Sequence, residues 1–355
     1  MSNARTWIPS LLGQDVDGYL LNSCIGVGTF GLVFEVTKQS SGSRFAMKIL
    51  VPNGIANAAA EFDREGTLLD KLNRCSSVVN WIESGTFQYM VVAPNGTSIP
   101  IALKYHVLSL ASGALDELIL DPVQRAALPW PERLAHWRGA VKGIHQMHLA
   151  RVAHRDLKSG NCLLMVHKGD TQVRIGDLGR SKDMTEPATV PAINYVFGRG
   201  DAEFAPPEHL YCQGGGTEAD FRNADLYGLG SLFVELATGH PMTALAIGSW
   251  QNARNEGEQE FRNGAPRDLS TLRPRYRLAL DIMAAEVAPP IRQEAVRLVQ
   301  QLCDPVPSER QPRPRRGKRY APDNGLLWLL ARADIMSRRL AVETRRTSYK
   351  KSRSA

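Results

Sequence analysis

The hydrophobic residues of this chain keep a mainly strand-like period up to residue 110 and a helical one after it, and that division limits the folds open to it. Before it they alternate as strand residues do, at 19–25, 32–36 and 44–51, with Gly- and Ser-rich turns between. After Pro52, the residues Phe62, Glu65, Leu68, Leu69 and Leu72 fall at helical spacing and predict a helix over 58–72. Strand-like runs return at 78–82, 89–92 and 101–110, the last two separated by an Asn95-Gly96 turn signal. From Ala114 the period is helical: Leu134, Trp137, Val141, Ile144 and His148 share one face of a helix opened by Pro131. A β-rich opening followed by a mainly helical remainder predicts an α+β chain of two lobes with a cleft between them.

A length of 355 residues suits one large two-lobed domain or two ordinary ones. With 43% hydrophobic and 22% charged residues the chain is neither disordered nor collagen-like. Residues 1–12 lack the apolar stretch of a secretory signal, and the most apolar later segments, 226–237 and 326–333, fall short of the roughly 20 residues that a membrane span requires. The expectation is a cytoplasmic protein. Its five cysteines are far apart and form no C-x-x-C pair, which reads as free thiols.

Residues 26–33 have the spacing G-x-G-x-x-G-x-V, with Gly26, Gly28, Gly31 and Val33. Such glycines also open dinucleotide folds, but there a helix follows, whereas here a β-branched, aromatic run does. The segment therefore predicts a hairpin whose backbone closes over phosphates. Lys48 on the next strand can reach those phosphates, and Glu65 is the anion expected to hold it, with Glu61 as the alternative one turn earlier. Further on, His154-Arg-Asp-Leu-Lys-Ser-Gly-Asn161 is followed by Asp177-Leu-Gly179. Phosphoryl transfer needs an oriented nucleophile and neutralised phosphates more than covalent chemistry. Asp156 can orient a hydroxyl and accept its proton, while Asn161 and Asp177 supply the oxygen donors that magnesium prefers.

In this order the segments resemble the eukaryotic-like serine/threonine protein kinase family. The resemblance also rests on Pro206-Pro-Glu208, on Asp225-Leu-Tyr-Gly-Leu-Gly230 and on Arg310. It covers residues 15–311 and implies the two-lobed protein kinase fold, with a β-rich N-lobe over 15–110 and a helical C-lobe over 111–311. It implies ATP and Mg as cofactors, a protein substrate, and catalytic roles for Asp156, Lys158, Lys48 and Glu65. Asn161 and Asp177 become the metal ligands, and Ile25, Gly26, Gly28, Gly31, Val33, Ala46, Lys48, Leu108, Ser109 and Ala111 the nucleotide site. Lys158 looks like the serine/threonine pattern. Arg155 implies control through a phosphorylated activation segment, with Ser181, Thr185, Thr189 and Tyr195 as unranked candidates and Arg310 as the partner of Glu208. Residues 12–19 look like bacterial members.

Two positions depart from the family pattern: Leu178 replaces a phenylalanine, and Asp201 a threonine that bridges the catalytic aspartate and lysine. Asp201 can pair with Lys158 but is expected to repel Asp156. On that ground a pseudokinase scaffold or binding module is the alternative function. Residues 1–14 form an N-terminal extension and 312–355 a basic tail; from Arg310 onward the net charge is +11, against −4 before it. The tail holds a basic linker at 313–319 and a helix over 326–340 with Leu326, Leu329, Leu330, Ala333, Met336 and Leu340 on one side. That helix either packs on the helical lobe or presents its charge to an anionic partner, a nucleic acid or membrane surface.

Overall fold

The computed structural model describes residues 3–28, 31–52, 57–92, 96–187, 192–198, 200–312 and 325–354. The chain divides into two compact units, Met1–Ser112 and Gly113–Ala355. The first is built on strands β1 (Tyr19–Val27), β2 (Gly31–Lys38) and β3 (Arg44–Leu50), helix α1 (Ala58–Lys71), and strands β4 (Trp81–Val92) and β5 (Ser98–Ser109). All strand pairs are antiparallel; β5 lies between β3 and β4, and β4 forms one edge while Asp15–Val16 closes the other.

Side chains alternate across this sheet. Leu32, Phe34, Val36, Met47, Ile49, Leu103 and Val107 form a closed core on one face, and Ala4 and Leu11 of the N-terminal helical segment pack into it. The intervening residues Val33, Ala46 and Lys48 line up with His106 and Leu108 on the other face, where α1 docks. Of the runs predicted separately at 78–82 and 89–92, residues 81–82 and 89–92 belong to one long strand, β4, while 78–80 precede it. Its residues alternate between half-buried and exposed, so polar Glu83, Ser84 and Gln88 dilute the hydrophobic signal in between. Asn95 lies outside the described residues.

The second unit is built on α2 (Trp130–Leu149), the hairpin β6 (Cys162–His167) and β7 (Asp170–Ile175), and helices α3 (Glu218–Thr238), α4 (Arg273–Glu286), α5 (Pro289–Leu302) and α6 (Leu327–Ser354). Nearly every residue of α3 is buried, so it forms the centre of this unit. Thr217 and Asp220 make reciprocal capping bonds at its start. Trp137 of α2 is fully buried and donates its indole N–H to the Leu229 carbonyl of α3 at 2.8 Å.

The tail helix extends beyond the expected 326–340 to Ser354. Leu326, Leu329, Ala333, Met336 and Leu340 are buried, and α6 packs on α2 and α5. Arg138 of α2 pairs with Asp334 at 2.6 Å, and Arg332 with Glu294 of α5 at 2.7 Å. Each buried Leu or Met in this seam contributes about 1.5–3 kcal/mol. The basic run 313–319 lies outside the described residues. Among the described residues no helix is long and apolar enough to cross a membrane.

Candidate active site

In the first unit, β1 and β2 form a hairpin paired from Tyr19–Lys38 to Val27–Leu32, with register shifts between Leu21 and Ser23 and between Cys24 and Gly26, and the Gly28 amide donates to the Gly31 carbonyl at 2.9 Å. The tip residues Thr29 and Phe30 lie outside the described residues. Gly26 packs against Val33, and Ile25 is exposed. Lys48 and Glu65 are both buried, with Nζ 2.7 and 2.8 Å from the two carboxylate oxygens. A glutamate falls here because α1 turns Phe62, Glu65, Leu68 and Leu69 toward the sheet together. Removing one partner of such a pair strands a buried charge, at a cost of about 3–5 kcal/mol. Ala46 is directly opposite Leu108, and Val33 opposite Lys48, so the sheet gathers these four on one face. Ser109 ends β5, bonded to Asn80 through its amide, and Ala111 is half-buried beyond it.

In the second unit the loop at 154–161 is fixed by Asp225 of α3. Its carboxylate accepts the amides of His154 and Arg155 at 2.9 and 2.7 Å and the ring N–H of His148 at 2.8 Å. Burial alone would raise the Asp225 carboxyl, yet the bonded His148, the neighbouring His154 and the Arg155 amide hold it below its ordinary value. These bonds keep Arg155 at a φ of 68°, a left-handed turn rare outside glycine. His154 bridges two segments. Its Nε2–H donates to the Gly176 carbonyl at 3.0 Å, while its Nδ1 accepts the Asp156 amide at 3.2 Å.

The candidate metal donors are adjacent. Asn161 Nδ2 donates to the Asp156 carbonyl at 2.7 Å, which commits the nitrogen and leaves the side-chain oxygen as the donor of the pair. The Gly176 amide bonds the Asn161 carbonyl at 2.9 Å, so Asp177 follows directly on a residue tied to Asn161. An amide oxygen and a carboxylate are hard donors, the set that suits magnesium.

Asp201 is inserted between Asp156 and Lys158 by backbone and side chain together. Its amide donates to Asp156 Oδ1 at 2.8 Å, and its Oδ2 lies 2.9 Å from Lys158 Nζ. Its other oxygen accepts the Glu203 amide at 3.1 Å. Where carboxylate repulsion was expected, an N–H therefore meets Asp156. Gly200 makes this possible: its φ is 114°, and a Cβ there would lie 2.8 Å from Asp156 Oδ1. Burial opposes the charge of Lys158, but Asp156, Asp201 and Asp177 outweigh it and raise its pKa.

Of the activation-segment hydroxyls, Ser181 and Tyr195 are buried, Thr185 is exposed, and Thr189 lies outside the described residues. The Arg155 guanidinium stands 5.7 Å over Tyr195 and 4.8 Å over Phe221. Glu208 and Arg310 form a buried, two-pronged ion pair at 2.6 and 2.7 Å. Three residues of this region escape spacing arguments. His154 was visible within its sequence segment but not its bridging role. Asp225 was visible as the head of a segment carrying the resemblance, but not as the anchor of the 154–161 loop, and Glu235 only as a polar residue in an apolar run. Glu235 accepts the Ser159 hydroxyl and amide, beside Lys158.

Comparison with known proteins gives the family to which this arrangement belongs. Residues 19–313 match the family model described as Protein kinase domain. The chain is 30% identical over 185 residues to LIM domain kinase 1 of Drosophila melanogaster, covering 51% of this chain and 13% of that protein. It is 27% identical over 232 residues to Serine/threonine-protein kinase par-4 of Caenorhabditis briggsae, covering 63% and 32%. A third relative, Probable serine/threonine-protein kinase CPE1738 of Clostridium perfringens, is 28% identical over 224 residues, covering 62% and 29%. The chain thus spans a third or less of the length of these curated relatives. It belongs to the eukaryotic-like serine/threonine protein kinase family.

Proposed function

We propose that this chain is an ATP- and magnesium-dependent kinase that phosphorylates serine or threonine hydroxyls of protein substrates. The observation that carries the reading is the Asp156 carboxylate. One oxygen is fixed by the Asp201 amide, and among the described residues no partner occupies the other. That second oxygen is available to orient a hydroxyl and take its proton. Lys158 supplies positive charge to the phosphoryl group in flight, and Lys48, fixed by Glu65, to the phosphates of ATP. Asn161 and Asp177 would hold magnesium, which neutralises phosphate charge when bound. Ile25, Gly26, Gly28, Gly31, Val33, Ala46, Leu108, Ser109 and Ala111 form the nucleotide site in this reading, within a kinase domain spanning 15–311. The relatives named for serine/threonine kinase activity support the choice of hydroxyl.

Phosphorylation control falls on Thr185, the exposed hydroxyl of the described segment, with Arg155 as its reader. The location we infer is cytoplasmic. A scaffold without phosphotransfer has one sequence feature in its favour, Asp201, and the Asp201–Lys158 pair answers it. An anionic partner of the tail is a secondary reading that rests on the exposed Arg338, Arg339, Arg345 and Arg346 of α6. It predicts salt-sensitive binding to nucleic acid or acidic vesicles. The main reading is tested by phosphate transfer from labelled ATP to a basic protein substrate, beside an Asp156→Asn control.

A further inference from the structure

Three cross-strand neighbours form a row on the α1-facing side of the first sheet: Lys48 on β3, His106 on β5 and Ser84 on β4. Lys48 holds Glu65. His106 engages the same helix one turn earlier, its Nε2 lying 3.0 Å from the Phe62 carbonyl oxygen. The imidazole also stacks on the Phe62 ring, with centroids 4.0 Å apart and planes 8° from parallel. The approach depends on Gly66, where a Cβ would lie 2.6 Å from His106 Cε1. On the far side of the ring, Ser84 Oγ is 2.7 Å from Nδ1 and accepts the Trp81 indole N–H at 2.9 Å.

These contacts fix the proton positions. A carbonyl only accepts, so Nε2 carries the imidazole proton; in the neutral ring Nδ1 is then the acceptor, so the serine proton goes to it while the serine oxygen still accepts the Trp81 indole N–H. One neutral tautomer satisfies the whole series from Trp81 through Ser84 and His106 to Phe62. Burial, helped by Lys48 and Lys104 against the Phe62 carbonyl and Asp63, holds the His106 pKa down at about 4, so the ring remains neutral near pH 7.

We propose that His106 is a positioning residue for phosphoryl transfer, latching α1 to the sheet at Phe62 and so holding Glu65 against Lys48. It acts through Glu65 and touches neither nucleotide nor protein substrate. The latch sits on β5, which is hydrogen-bonded to strands on both sides, so the helix is referred to an internal strand of the sheet and not to its edge. An ion pair at 2.7 Å between buried partners tolerates little displacement of the helix that carries one of them.

The kinetic arm of the test rests on the proposed kinase activity; the exchange arm does not. His106→Phe keeps a stacking ring without the donor, and Ser84→Ala removes the proton given to Nδ1 together with the acceptor of the Trp81 indole N–H while leaving the Nε2 bond to Phe62. Amide hydrogen exchange over residues 58–71 of the full chain should accelerate about tenfold in the first and less in the second, with α3 unchanged. The value of kcat/KM for ATP should fall about 10- to 100-fold, with KM for the protein substrate unchanged. In a Glu65→Gln background, His106→Phe should add less than about twofold, because both changes act on one contact. A folded His106→Phe variant with unaltered α1 exchange would overturn the latch, as would full multiplicative loss in the Glu65→Gln background. If His106→Phe does not fold, Ser84→Ala decides by the same exchange criterion. A wild type that transfers no phosphate leaves the exchange result to stand alone and counts against the kinase reading only.

Discussion

Asp201 stands where the family pattern has threonine, and its charge is half-shielded: the Lys158 and Asp201 side chains are 26% and 38% exposed. A pair this open contributes about 0–1 kcal/mol. Asp201→Asn keeps the amide bond to Asp156 and the oxygen that caps Glu203, so kcat should change by less than about tenfold, checked by steady-state kinetics. Glu235 behaves differently. Burial pushes its carboxyl up to about 7 from an ordinary 4.5, against the Ser159 bonds. The folded state therefore binds a proton that the unfolded chain releases, and this contribution to stability is full below pH 4.5 and lost as pH rises to 7. Relative to Glu235→Gln, the wild type should lose up to about 3 kcal/mol between pH 5 and 8 in urea unfolding. Equal slopes for the two proteins would refute the assignment. Glu65 was legible because it shares helical spacing with Leu68 and Leu69. His106 and Glu235 were not, since their significance depends on cross-strand register and on a buried neighbour distant in sequence.

At the scale of elements, α6 separates into two parts. Its first half buries Leu329, Ala333 and Met336 against α2 and α5, while residues 341–346 are exposed. Leu329→Ala should destabilise the second unit by about 2–5 kcal/mol, the usual cost of a truncated core leucine. Val342→Ala, at an exposed position, should stay within about 0.5 kcal/mol. Thermal melts of both variants check this, and equal effects would contradict the docking. Periodicity showed the apolar face of this helix because one side is buried. It could not show the end at Ser354, because beyond Leu340 only Ala341, Val342 and Tyr349 interrupt a polar run, too few to mark a face, and no Gly or Pro stops the helix. The long strand β4 was divided for the converse reason. One face of an edge strand is wet, and its polar residues interrupt the pattern that a buried strand would have shown.

For the whole molecule, the change of period near residue 110 coincides with the division into two units at Ser112 and Gly113. The order of the glycine hairpin, Lys48, the Asp156 loop and Asp177 was readable because each segment carries residue types that little else requires. What spacing could not give is how the loop at 154–161 is held. Asp225, more than sixty residues away, fixes three donors at once, and Gly200 lets the Asp201 amide reach Asp156. The most direct test of the central claim is transfer of labelled phosphate from ATP to a basic protein substrate, with magnesium present, by wild type and Asp156→Asn. The account predicts phosphoserine or phosphothreonine from the wild type and a loss of at least about 100-fold in the variant. Equal labelling by both proteins, or ATP binding with no transfer by either, would contradict it.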